Sequence, residues 1–81
     1  MDIDEKEMDI ESKVILLAIL KKEDDETLND IIFKLVESRV FDLKKGKKLL
    51  KELKAKEYIS NGGLTMLGLT HANAALKEFT L

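Results

Sequence analysis

A hairpin signal interrupts an otherwise helical pattern in the stretch YISNGGLTML, residues 58–67. Asn61-Gly62 favours a type I′ turn, because both central residues of that turn need positive φ angles. We therefore predict two short strands, at residues 58–60 and 64–67, with Gly68 ending the second. Thr70 is then expected to cap a final helix. Three helical patterns precede the hairpin, so the predicted fold is mainly α with a small β-hairpin.

The first two helices are predicted from apolar spacing and capping residues. Helix 1 begins at Ile10 and includes VILLAIL (residues 14–20), which is apolar nearly all round. Ile10, Val14, Leu17 and Ala18 share one face, and the other apolar residues widen it nearly all round. Such a helix is either central in the core or half of a dimer interface. Thr27 and Asp30 form a capping-box pattern that opens a second, amphipathic helix ending near Ser38.

The third helix, predicted at about residues 42–57 with Asp42 as its cap, separates its residues by type. At 100° per residue, one arc carries leucines and Gly46, and the complementary arc carries five lysines. The apolar arc holds Leu43, Gly46, Leu49, Leu50 and Leu53, and the lysine arc holds Lys44, Lys47, Lys48, Lys51 and Lys54. Glycine costs about 1 kcal/mol of helix propensity, so Gly46 is expected where another helix approaches closely.

Charge is distributed unevenly along this 81-residue chain, whose formal net charge is only −2. Residues 1–12 contain one basic and six acidic residues, whereas residues 42–57 contain seven basic and three acidic residues. We read residues 1–9 as an acidic, flexible arm and residues 10–81 as one domain. The start of the chain is acidic where a signal peptide would be basic, and the longest apolar run is too short to cross a bilayer. A cytoplasmic protein without membrane contact is therefore expected.

The order of these elements, and two local motifs, resemble the winged helix-turn-helix superfamily, especially its small bacterial and archaeal regulators. LLKELKAKEYIS (residues 49–60) is similar to the end of the recognition helix and the first wing strand. GLTHANAALKEF (residues 68–79) is similar to the Leu-Thr-x-x-Gly-x-x-x-Leu pattern that follows the wing, with Asn73 in place of the glycine. The resemblance covers most of the chain.

The resemblance implies double-stranded DNA binding, with the third helix in the major groove, and a role in transcription regulation. The residues expected to contact DNA are Lys44, Lys45, Lys47, Lys48, Lys51, Lys54 and Asn61. Lysine is better suited to phosphate contact than to reading bases, so the expected contacts are mainly to the DNA backbone. Such regulators are commonly dimers, and the excess apolar surface of the first helix predicts a homodimer seam at Ile15, Leu16, Ile19 and Leu20.

Other function classes have less support in the residues. Cysteine is absent and His71 is the single histidine, so neither a metal site nor a cofactor is expected. The acidic run of residues 23–26 lacks the spacing of a calcium loop, and no catalytic set of side chains can be assembled, so an enzyme is not expected. The alternative to DNA binding is a winged-helix module that docks a protein partner.

Overall fold

The computed structural model describes residues 9–60 and 62–79. Within these residues the order is three helices, a two-stranded antiparallel sheet and a fourth helix. The helices are α1 (Ile10–Leu20), α2 (Leu28–Glu37), α3 (Leu43–Ala55) and α4 (Met66–Phe79), and the strands are β1 (Ile59–Ser60) and β2 (Gly63–Leu64). The prediction of a mainly α fold with a small β-hairpin is confirmed. The predicted arm falls almost wholly on residues 1–8, outside the described residues.

One apolar core joins all three N-terminal helices to the hairpin and to α4. Its buried side chains come from α1, α2, α3, β1 and α4, together with Phe41 from the turn between α2 and α3. Ile15, Leu16 and Ile32 are the largest fully buried side chains. Full burial of one such side chain contributes about 1.5–3 kcal/mol, so this set holds the helices together without a disulfide.

Capping residues define where α2 and α3 begin, as predicted. The Thr27 hydroxyl accepts from the Asp30 N–H, and the Asp30 carboxylate accepts from the Thr27 N–H, which completes the capping box. The Asp42 carboxylate accepts from the Lys45 N–H at 2.8 Å. These bonds satisfy N–H groups that a helix start leaves without partners.

Schellman motifs end the same two helices, and both place a non-glycine residue in the left-handed region. Arg39 has a φ of 65° after α2, and Glu57 has a φ of 66° after α3. The N–H of Val40 then bonds the Leu35 carbonyl at 3.0 Å, and the N–H of Tyr58 bonds the Leu53 carbonyl at 3.0 Å. Each motif reverses the chain sharply, which brings α3 against α2 and the hairpin against α3.

The junction between the hairpin and α4 differs from the prediction. β2 is only two residues long, and α4 begins at Met66, so the predicted strand at residues 64–67 and the predicted Thr70 cap are wrong. Thr65 is the cap, because its hydroxyl accepts from the Gly68 N–H at 3.0 Å. The Thr70 hydroxyl instead donates to the Met66 carbonyl inside the helix.

Gly68 lies inside α4 rather than ending a strand. A Cβ atom built on Gly68 would lie 1.9 Å from the Tyr58 carbonyl oxygen, so α4 crosses the backbone at the base of the hairpin here. Gly46 on α3 is also a point of close approach, as predicted. A Cβ atom there would lie 2.9 Å from a methyl group of Ile32 on α2 and 2.6 Å from the Phe41 ring.

The structure shows which side of the nearly all-apolar α1 is buried. Ser12, Ile15, Leu16 and Ile19 are buried, whereas Ile10 is 64% exposed and Val14, Leu17 and Ala18 are half-buried. Ile15 and Leu16 are completely buried and Ile19 is 5% exposed within a single chain, and Leu20 packs half-buried against the core. The first three therefore offer no surface to a second copy, and the predicted seam through them is wrong because the monomer's own core covers them.

Candidate nucleic-acid interface

Five lysines lie on the outer side of α3, and we call them the lysine face: Lys44, Lys47, Lys48, Lys51 and Lys54. All five are exposed, and so is Lys45 beside them. The opposite side of α3 is buried through Gly46, Leu49, Leu50 and Leu53. Because the leucines fix the rotation of the helix against the core, the lysines point into solvent as the sequence predicted.

The lysine face carries its charge without close neutralisation by the described part of the chain. No carboxylate within the described residues, 9–60 and 62–79, lies at ion-pair distance from any of its five amines. α3 contains six lysines and one acidic residue, Glu52, which gives it a net side-chain charge of +5. The six ammonium groups therefore produce a positive potential along about 15 Å of helix.

Lys45 differs from the five lysines of the face. Its Nζ atom lies 3.4 Å from an Oε1 oxygen of Glu11, in the first turn of α1. Both side chains remain partly exposed, at 46% for Lys45 and 31% for Glu11. The pair is therefore weak, but it shows that the start of α1 lies along one flank of the lysine face.

The hairpin adds little charge to this surface. Asn61, predicted to contact DNA, lies outside the described residues. Gly62 beside it has a φ of 85°, which suits the second central position of the predicted turn. Ile59 pairs with Leu64 and Ser60 with Gly63, so the described hairpin presents no basic side chain.

An open cleft of about 450 Å³ lies between the end of α3, the hairpin and the start of α4. Lys54 lines one side of this cleft, and Met66 and Leu67 line another. Met66 is 84% exposed and Leu67 is 47% exposed. Sequence reasoning missed this surface because it placed both residues in a strand; the cap pattern at Thr65 could have identified them as the first turn of a helix.

Tyr58 and His71 form a ring contact away from the lysine face, with centroids 4.7 Å apart. His71 is half-buried, and Tyr58 packs against the core. In the described residues, no three potential metal ligands among histidine, aspartate and glutamate come together. His71 is therefore explained by its packing at the base of the hairpin.

Comparison with protein-family models, with curated proteins and with solved structures finds no match to this chain. None of the helices described in residues 9–60 and 62–79 combines the length and apolar character needed to cross a bilayer.

Proposed function

We propose that this chain is a winged helix-turn-helix protein that binds double-stranded DNA, as small transcription regulators do. In this proposal α3 lies against the major groove and the phosphate backbone, with the hairpin as the wing. The major groove, about 12 Å wide, admits one α-helix. The observation that carries the proposal is the lysine face, five exposed amines on one side of a helix whose other side is anchored in the core.

The arrangement of the elements supports the winged-helix part of the proposal. A turn of five residues, 38–42, separates α2 from α3, and the hairpin follows α3 directly. The superfamily's Leu-Thr-x-x-Gly pattern also fits better at residues 64–68 than at residues 69–73. In that register Thr65 is the helix cap and Gly68 is the glycine, whereas Ala72 stands at the last leucine of the pattern.

Lysine contacts predict a particular kind of binding. Ammonium groups bind phosphates as point charges, whereas bidentate reading of bases is better performed by Arg, Asn and Gln. α3 contains none of these three residue types. The proposed protein therefore binds many duplex sequences with similar affinity, and its binding depends strongly on salt.

The test is a fluorescence anisotropy titration on random-sequence duplex DNA at several salt concentrations. Four or five phosphate contacts predict a slope of log K against log salt near −4. The double variant Lys47→Gln/Lys51→Gln should bind more weakly and reduce the slope by about 2. The matched control is Lys21→Gln/Lys77→Gln, which removes the same charge from exposed positions outside α3 and should leave the slope unchanged.

Two outcomes would refute DNA binding by the lysine face. One is the absence of DNA binding at 50 mM salt. The other is an equal loss of DNA affinity in the lysine-face variant and in its control. Equal losses would mean that net charge, and not the position of the lysines, governs affinity.

A winged-helix module that docks a protein is the second candidate. The exposed apolar side chains of Met66 and Leu67 at the cleft favour it. The absence of basic side chains from the described hairpin also agrees with it, because contact with a protein does not need them. This candidate requires that duplex DNA fails to bind even at low salt. The titration above therefore separates the two.

A further inference from the structure

The beginning of α1 lies beside the lysine face. The Glu11 carboxylate approaches the Lys45 amine to 3.4 Å. On the helical wheel of α3, Lys45 and Lys48 are neighbours, one turn apart on the flank that faces α1. A chain leaving α1 through Asp9 therefore starts two residues from a side chain that contacts the flank of the lysine face.

The eight residues that precede Asp9, MDIDEKEM, lie outside the described residues, but their charge is known from the sequence. They contain four acidic residues and one lysine, a net side-chain charge of −3, against the +5 of α3. At most about 3.3–3.6 Å per residue, they can extend up to about 27 Å. The lysine face is about 15 Å long, so the segment can reach all of it.

We propose that residues 1–8 contact the lysine face when no polyanion is bound, and so compete with DNA for the same amines. The inference rests on the proposed function, because it concerns regulation of that site. The Glu11–Lys45 pair lies three residues after the segment and places the start of α1 beside the lysine face, and the net charges of the segment and the face are opposite. Because the acidic residues are tethered beside the lysines, their effective concentration is in the millimolar range, even though each exposed ion pair is weak.

The affinity test uses the full chain and a matched pair of triple variants. Asp4→Asn/Glu5→Gln/Glu7→Gln removes three charges from the segment. Glu23→Gln/Asp24→Asn/Asp25→Asn removes three from the exposed loop after α1. The first variant should bind random duplex DNA about tenfold more tightly than the second at 50 mM salt, equivalent to two or three exposed ion pairs. The difference in DNA affinity between the two variants should become smaller as the salt concentration rises, because salt screens the exposed charges. Equal gains in the two variants would overturn the inference, since they would reflect net charge alone.

A second measurement does not depend on DNA binding. Carbodiimide joins a carboxylate to an amine only when they are in contact, and mass spectrometry identifies the linked residues. In free protein, the acidic residues of segment 1–8 should link to Lys44, Lys47, Lys48 or Lys51 in preference to the exposed Lys21, which follows the opposite end of α1. Even distribution over all lysines would overturn the inference.

The two measurements distinguish the two proposals. Preferential links without any DNA binding would leave the intramolecular contact standing and remove the proposed function. The opposite result is DNA binding with a steep salt slope, cross-links spread evenly over the lysines, and equal DNA affinity of the two triple variants. It would leave the proposed function standing and remove the intramolecular contact.

Discussion

Replacing Gly68 with alanine tests the packing of α4 against the hairpin. The added Cβ would lie 1.9 Å from the Tyr58 carbonyl oxygen and 2.9 Å from its carbon. Contacts of this type below 3.0 Å are essentially not observed, so the two backbones must separate by about 1 Å. The Tyr58 carbonyl also accepts the Thr65 N–H at 3.0 Å, and that bond would be strained by the separation.

The expected cost follows from three contributions. Forcing an extra methyl group into a tight contact costs about 1–3 kcal/mol, and weakening a backbone hydrogen bond adds about 1 kcal/mol. Alanine recovers about 1 kcal/mol of helix propensity relative to glycine. We therefore expect Gly68→Ala to lower the free energy of unfolding by about 1–3 kcal/mol. For a domain of this size the Tm should fall by roughly 5–25 °C.

Two other glycines provide matched controls for urea unfolding followed by circular dichroism. At Gly46 the clashing atoms belong to the side chains of Phe41 and Ile32 and not to the backbone, so no helix has to move as a whole and Gly46→Ala should cost less, about 0–2 kcal/mol. At Gly63 no atom lies within 4 Å of the added Cβ, so Gly63→Ala should change stability by less than about 0.5 kcal/mol. If Gly68→Ala proves as stable as Gly63→Ala, the crossing of α4 over Tyr58 is incorrect.

Two further predictions concern the ends of α3 and α4. Glu57 is exposed and its backbone is in the left-handed region, so Glu57→Gly should raise the free energy of unfolding by about 0.5–1 kcal/mol. Glu52→Gly inside α3 should instead lower it by about 1 kcal/mol. If urea unfolding shows changes of the same sign for both variants, the Schellman geometry is contradicted. The Thr65 hydroxyl donates to the Glu57 carbonyl at 2.6 Å and accepts from the Gly68 N–H at 3.0 Å. Thr65→Val should therefore cost about 1–2 kcal/mol and Thr65→Ser almost nothing, and comparable losses in the two would show that the hydroxyl is not the cap.

Helix starts with strong local chemistry could be predicted from the sequence. Thr27 with Asp30, and Asp42 alone, satisfy backbone N–H groups within three residues, so no distant contact is needed to define them. Thr65 has the same chemistry. Its role was missed because the apolar residues Met66 and Leu67 resemble a strand, although their exposure shows that no core holds them in one.

The orientation of α1 could not be predicted in the same way. VILLAIL is apolar on nearly every side, so periodicity does not identify which face is buried. That choice depends on the shape of the partners. The buried positions of α1 include the small Ser12, and those of α4 are Gly68, Ala72 and Ala75, so these two packed helices present small side chains. This fit between α1 and α4 depends on segments far apart in the sequence, so the pattern of neither segment alone predicts it.

Two explanations of the lysine face on α3 make different predictions: it binds a polyanion, or it only keeps the helix surface in contact with water. On a helix, like charges three or four residues apart repel by about 0.2–0.5 kcal/mol per pair. The lysine face contains five such pairs, 44–47, 44–48, 47–51, 48–51 and 51–54. Interspersed acidic residues would make the helix equally soluble and more stable by about 1–2 kcal/mol. Lys47→Gln/Lys51→Gln removes four of these pairs, so it should unfold at a higher urea concentration while it binds DNA less tightly. That opposition of stability and binding is what a surface built for a polyanion predicts and a merely solvated surface does not.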